Sequence, residues 1–236
     1  MGRAFEYRKA AKMKRWGNMS RIFPKLAKAV QIAAKEGGGD PDMNAALRVA
    51  IQNAKAQNMP KANIEAAIKR ATGKDAEDFT EILYEGKGPH GVLVVAECAT
   101  DNTTRTVANV KSYFSKLGGS LVPTGSLDYM FNRKAVFEFE KPEGFDPEEF
   151  ELEMIDFGLE SIEVDDNTIY AYAPYTDFGT MSKAFEDKNI EVSKSDLQRI
   201  PTSPIDFTDE QMEEIEKLID KLEDDEDVQA VFTNLG

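Results

Sequence analysis

Apolar positions recur every three or four residues through the first third of the chain. Ile22, Leu26, Ala29 and Ala33 form one stripe, Leu47, Ala50, Ile51 and Ala54 a second, and Ile64, Ile68 and Ala71 a third. Each stripe predicts an amphipathic helix. Ser20 is a cap for a helix running to about Glu36, where Gly37, Gly38 and Gly39 stop it. Asp40-Pro41 offers an N-cap and a first-turn proline for a helix to about Gln57, and Pro60 restarts one that ends before Gly73. The Ala/Lys/Arg run from Arg8 to Arg15 predicts a shorter helix ahead of these.

Beyond Lys74 the pattern mixes strand and helix signals. Val92 to Cys98 is β-branched and apolar on both faces, as a central strand would be. Asn102 to Leu117 reads as a helix with Val107, Val110 and Phe114 inward, and strands are expected at Leu127–Phe131 and Ala135–Glu140. Asp146-Pro147-Glu148-Glu149 starts a helix, and a hairpin turn at Asp165-Asp166-Asn167 separates two strands. A helix from about Thr176 and a strand to Ile200 complete a β-α-β-β-α-β series, the ferredoxin-like order. After Pro201 and Pro204, Thr208 and Gln211 form a capping box, with Phe207 and Met212 as its staple. The helix so opened carries Met212, Ile215, Leu218, Ile219 and Leu222 as its packing stripe, and Val228–Phe232 is a closing strand.

The expected fold class is therefore α+β: an all-helical N-terminal domain followed by two α/β sandwich-type domains, one ferredoxin-like and inserted into the other. The boundaries read as 1–77 for the basic helical domain, 78–133 plus 204–236 for the discontinuous α/β domain, and 134–203 for the insert.

Charge changes the picture most. The 236 residues carry a net −14, yet Met1–Lys74 holds 16 Lys/Arg against five acids, or +11, leaving −25 on the remainder. Such asymmetry points to a polyanion-binding end joined to a body that repels polyanions. On the helix from Ser20, Arg21, Lys25, Lys28 and Lys35 fall within an arc of about 80°, away from the apolar stripe. That row suits phosphate contacts. Arg8, Lys12 and Arg15 repeat the theme on the preceding helix, and Trp16 beside them is read as packing rather than base-stacking.

Catalytic chemistry finds little footing. One His and one Cys exclude a disulfide framework, most zinc ligand sets and any His-pair scheme. Gly86-Lys87-Gly88-Pro89-His90-Gly91 matches G-x-G-x-x-G, but a strand follows it and Pro89 lacks an N–H, so it is read as a turn. His90 is a loop residue and Cys98 a buried, inert thiol. Asp224 to Asp227 lacks a calcium loop's spacing and reads as a solvated acidic helix end. Asp101 or Asn102 caps the helix after the central strand, while Arg105 in its first turn opposes the helix dipole and is not explained locally. No run of about 18 apolar residues is present, so the chain reads as cytoplasmic.

Several stretches resemble the YebC/PmpR family, whose mitochondrial relatives include a translational activator of a cytochrome oxidase subunit. They are RKAA (Arg8–Ala11), RIFPKL (Arg21–Leu26), GGGDPDMNAALRVAI (Gly37–Ile51) and NMPKANIEAAIKRATG (Asn58–Gly73), then YEGKGPHGV (Tyr84–Val92), ECATDNTTRT (Glu97–Thr106) and FSKLGGSL (Phe114–Leu121). The opening departs from the family's Gly-His-Ser-Lys-Trp, reading Gly2-Arg3-Ala4-Phe5-Glu6. The resemblance implies a three-domain, non-enzymatic regulator of gene expression, described in the family both as DNA-binding and as acting in translation on the ribosome.

The leading expectation is a nucleic-acid-binding regulator without cofactor, metal or small-molecule substrate. Its partner is ribosomal RNA or DNA, with the ribosome favoured slightly because a −25 body fits a mixed RNA–protein surface better than a uniform duplex. The candidate contacts are Arg8, Lys9, Lys12, Lys14, Arg15, Arg21, Lys25, Lys28, Lys35, Lys55, Lys61 and Arg105, gathered in one solvent-open patch. The alternatives are a protein–protein adapter using the acidic body and, third, an enzyme working in an interdomain cleft.

Overall fold

The computed structural model describes residues 19–73, 76 and 78–236. The expectations for Arg8–Arg15 and Trp16 lie outside these residues, as does the burial of the Arg21 side chain.

Three helices, α1 (Met19–Gly37), α2 (Ala45–Ala56) and α3 (Lys61–Ala71), form the first unit. Val30, Ala33, Ala34, Leu47, Ala54, Met59, Ile64, Ala67 and Ala71 make its core. Two expectations are corrected here. The α1 stripe is rotated, so that Val30 and Ala34 are buried and Ala29 is exposed. The second helix begins at Asn44 rather than Asp40. Asn44 accepts from the Leu47 N–H (3.0 Å) while its amide donates to the Ala33 and Gly38 carbonyls (2.7 and 2.8 Å). One buried side chain thus caps α2 and closes the end of α1, and Asp40–Met43 becomes a turn.

The next unit contains β1 (Thr80–Lys87), β2 (Leu93–Thr100), α4 (Thr103–Lys116) and β3 (Ser120–Val122), and is completed by α7 (Asp209–Glu223) and β8 (Val228–Thr233). Its sheet order is β3-β1-β2-β8, with all neighbours antiparallel. The central β2 is buried on both faces. Val94, Ala96 and Cys98 meet α4 and α7, while Val95 meets Leu127 and Phe131 on the other side. Thr106, Val110 and Phe114 are the buried residues of α4, whereas Val107, expected inward, is 38% exposed. The strand expected at Leu127–Phe131 is a tight turn leading into the next strand, and the three-residue β3 went unforeseen. The Thr208–Gln211 capping box and the α7 stripe form as read.

Between these halves run β4 (Phe131–Glu140), α5 (Pro147–Met154), β5 (Ser161–Asp165), β6 (Thr168–Pro174), α6 (Phe178–Asp187) and β7 (Val192–Pro201). Their antiparallel sheet has the order β5-β6-β4-β7, the ferredoxin-like arrangement. Phe137, Phe139, Phe150 and Phe185 pack ring against ring between sheet and helices. The architecture is α+β, a helical region followed by two four-stranded sheets with helices.

Candidate nucleic-acid interface

The sequence places Lys25, Lys28 and Lys35 on one side of α1, and the fold lays part of that side against the second unit. Asp227, just before β8, is the hub. Its backbone is pinned twice: its N–H donates to Asp225 Oδ1 (2.9 Å), and its carbonyl accepts from the Ala99 N–H (2.8 Å). Its buried carboxylate receives Lys28 Nζ at 3.1 Å and Arg105 Nη2 at 2.8 Å. The hydroxyls of Thr100 and Thr106 lie at 3.0 and 2.8 Å from the same carboxylate.

Lys28 Nζ also donates to the carbonyls of Ala99 and Glu226, both at 2.9 Å. An ammonium has three donors, and all three are used within the molecule. The expectation that Lys28 stands in a solvent-open row is therefore corrected: α1 packs on two sides, with its apolar face on α2 and α3 and its Lys28 side on the acidic turn. Lys25, one turn earlier, is also drawn in. Burial lowers its pKa, partly offset by Glu223, Asp225 and Asp224.

Arg105 has a tertiary explanation that the sequence could not supply. Its guanidinium bridges Asp227 and Asp101 (2.8 and 2.7 Å), and those two hydrogen bonds push its pKa up. Arg105 is thus ion-paired at both ends while its side chain stays 47% exposed. Asn102 is the residue that caps α4, accepting from the Arg105 N–H at 3.0 Å. For Asp227, burial pushes the carboxyl pKa up, but the bonds from Arg105, Thr106 and Lys28 outweigh it and hold it down at about 2.

The acidic run is not simply a solvated helix end. Asp227 is 4% exposed. Asp225 accepts from Tyr113 Oη (2.9 Å) and Asn109 Nδ2 (3.2 Å). Burial and the bond to Asp225 raise the Tyr113 hydroxyl to about 12. Burial, with Asp225 and Asp227 nearby, raises the Cys98 thiol to about 12, which leaves it unreactive. The one available signal for this hub was the Thr-rich strand–helix junction at Thr100–Thr106, which gathers the Thr100 and Thr106 hydroxyls and the Arg105 guanidinium in seven residues.

The remaining described cations lie elsewhere on the helical unit. Lys35 is exposed, donating to the Ala76 carbonyl (3.3 Å) and pairing with Asp78. Lys55 in the last turn of α2 and Lys61 in the first turn of α3 flank the same short connection, both exposed. Lys61 has only a loose 3.6 Å pair with Glu65. Lys69 and Arg70 are exposed at the end of α3. The fold thus splits the predicted patch into cations bound internally and cations facing solvent.

The G-x-G-x-x-G run joins β1 to β2 and packs tightly. A Cβ at Gly86 would run into the Phe114 ring, and one at Gly88 would come within 2.7–2.8 Å of Val92 and Leu218. His90, at φ +58°, hydrogen-bonds Glu214 at 2.8 Å. These glycines serve packing, not a dinucleotide. Among the described residues no group of His, Cys, Asp and Glu is arranged to hold a metal, and no helix is long and apolar enough to cross a membrane.

Comparison with known proteins now gives the ancestry. Residues 3–74 match the model of the TACO1/YebC protein N-terminal domain, and residues 79–235 match that of the TACO1/YebC second and third domain. The chain belongs to the TACO1/YebC family. Among its relatives, a probable transcriptional regulatory protein of Wolinella succinogenes is 62% identical over 237 residues, covering all of both chains. One so named from Campylobacter curvus is 62% identical over 235 residues, again covering both completely. The crystal structure of a conserved hypothetical protein from Aquifex aeolicus has 32% identity and a TM-score of 0.80, covering 93% of this chain and 91% of that one. Within this family fold, the ECATDNTTRT stretch acquires a physical role: it supplies Ala99, Thr100, Arg105 and Thr106 to the Asp227 hub.

Proposed function

We propose that this TACO1/YebC protein is a non-enzymatic regulator of gene expression that binds nucleic acid through its helical unit. The observation that carries the reading is the division of charge, +11 on residues 1–74 against −25 on the remainder. The names of the relatives as probable transcriptional regulatory proteins agree with a regulatory role. Contacts are assigned to Arg8, Lys9, Lys12, Lys14, Arg15 and Arg21 at the start of the chain, with Lys35, Lys55 and Lys61 on the helical unit. Lys25 lends charge to that surface, while Lys28, which ties the unit to Asp227, and Arg105, paired with Asp227 and Asp101 within the body, are left out of the phosphate contacts.

RNA in a ribosomal setting is the preferred target. A body of −25 is repelled along a uniform duplex but finds cationic protein surface within an RNA–protein particle. Crosslinking the intact protein in cells and sequencing the attached nucleic acid tests this. Recovery of ribosomal RNA is the expected result. Recovery of promoter DNA would replace translation with transcription as the level of control, and recovery of neither would leave the adapter reading in its place.

A further inference from the structure

Helix α5 is apolar on two opposite sides. Phe150 and Met154, four residues apart, are buried beneath it. Leu152 and Ile155 lie on the outer side and are 75% and 62% exposed. Phe157, in the short turn that extends the helix (Ile155–Phe157), is exposed as well. Three of the nine large apolar side chains left in solvent among the described residues thus fall within six consecutive positions. Single apolar residues on a surface are ordinary, but neighbours three apart on one helix face form a continuous patch, and such patches mark contact sites.

The charge around this patch has one sign. From Pro142 to Ser182 the chain has no Lys or Arg and twelve Asp or Glu. At about 100° per residue, Glu151 and Asp156 fall on either side of the Leu152–Ile155 pair, and Glu148 lies one turn before Leu152 on the same face. Glu148 and Glu149 also suit the first turn of a helix, where the dipole favours carboxylates. Glu151 and Asp156 lie beyond that turn and gain nothing from it. All four are exposed, and none has a cationic partner among the described residues, whereas Glu153 is held by Lys188 at 2.7 Å.

The sign of the charge selects the occupant. It repels a phosphate backbone and an anionic membrane surface, and a second copy of this face would set Glu151 and Asp156 against like charge. A polypeptide with Lys or Arg beside an apolar stripe satisfies both features, and a ridge of residues three apart packs into the groove of another helix. We propose that the outer face of α5 docks a cationic amphipathic helix of a partner protein, with Leu152 and Ile155 as the apolar contact and Glu148, Glu151 and Asp156 as the charge partners. The site uses none of the helical unit's cations and stands whether or not they bind nucleic acid.

Fluorescence anisotropy of the full chain with a labelled helical peptide, leucine at i, i+3, i+4 and i+7 and lysine elsewhere, tests the assignment at physiological salt. A peptide of the same composition with its stripe scrambled binds about tenfold more weakly. Leu152→Gln with Ile155→Gln weakens the striped peptide about tenfold. The thermal midpoint of that variant is unchanged, because both side chains are already in water in the free chain. Glu151→Gln with Asp156→Asn weakens binding about three- to fivefold. Glu210→Gln with Glu213→Gln, exposed on α7, changes it less than about twofold. Equal losses in these two charge variants, or equal binding of striped and scrambled peptides, would show unspecific attraction and overturn the site. A wild-type dimer in sedimentation that Leu152→Gln with Ile155→Gln dissociates would put a second copy there instead, and oligouridine binding lost in the same variant would make the occupant RNA. A wild-type chain that binds no peptide would overturn the proposal too, and the occupant would be the chain's own start if changing Arg3, Arg8, Lys9, Lys12, Lys14 and Arg15 to Gln restored binding.

Discussion

The helical unit is fastened to the rest of the molecule by two seams built on opposite principles. Toward the first sheet the seam is ionic and buried where it crosses: Lys28 of the helical unit meets Asp227, with side-chain exposures of 13% and 6%, and Arg105, 47% exposed, backs the same carboxylate from within its own unit. Toward the ferredoxin-like unit the buried contacts are neutral amides, with a loose, solvent-exposed Arg48–Glu186 pair at 3.6 Å beside them. Asn53 donates to the Ser195 carbonyl (2.7 Å) and accepts from the Ser195 N–H (3.0 Å), while Gln52 donates to the Val192 carbonyl. Since β7 is an edge strand, those amides occupy groups that would otherwise invite another strand. The neutral seam blunts an edge at small cost. The ionic seam fixes a position, because its charges tolerate no other partner once out of water.

The sharpest break of this comparison is Asp227→Ala. Removing the acceptor takes the carboxylate from the buried Lys28 ammonium, leaving it the Ala99 and Glu226 carbonyls, while Arg105 keeps Asp101; losing one partner of a buried pair costs about 3–5 kcal/mol. Urea denaturation should show a loss of that size. A loss below about 1 kcal/mol would mean the seam is wet and weak.

Acid probes the same carboxylate without mutation. Its folded pKa lies at about 2 against an ordinary 3.8, so its contribution is complete above about pH 4 and is lost as pH falls toward 2. The depression corresponds to about 2 kcal/mol. Denaturation midpoints across that window should fall in the wild type, and the fall should be smaller in Asp227→Asn.

On the neutral side, Asn53→Ala should cost about 1 kcal/mol, the net worth of ordinary hydrogen bonds. Its specific signature is faster amide exchange at Ser195 with Ala99 unchanged. The smallest effect concerns Cys98, beneath the ionic seam. With its thiol raised to about 12, alkylation at pH 8 should be slow in the native chain and accelerate in Asp227→Ala more than in Asn53→Ala.

What could be read from the sequence was local. The Thr208–Gln211 box, the Asn102 cap region and the hairpin turn at Asp165-Asp166-Asn167 each depend on neighbours a few residues away, and each formed. The ferredoxin-like order followed because its turns and caps punctuate it. Asn44 was missed because Asp40-Pro41 offers an equally good start, and only the approach of the end of α1 decides between them. The fate of Lys28 was illegible for a stronger reason. Its partner lies 199 residues away, and a lysine on a polar helix face looks the same whether that face meets water or a buried aspartate. Charge counting found the cationic unit but could not divide its cations between those spent on holding it and those left facing solvent.

That division is the central claim, and the salt dependence of RNA binding tests it most directly. Affinity should fall steeply with salt for the wild-type chain. Lys55→Glu with Lys61→Glu should weaken binding and flatten the log–log slope by about 1 to 2, roughly one for each phosphate no longer neutralised. Wild-type affinity and slope in that variant would contradict the account.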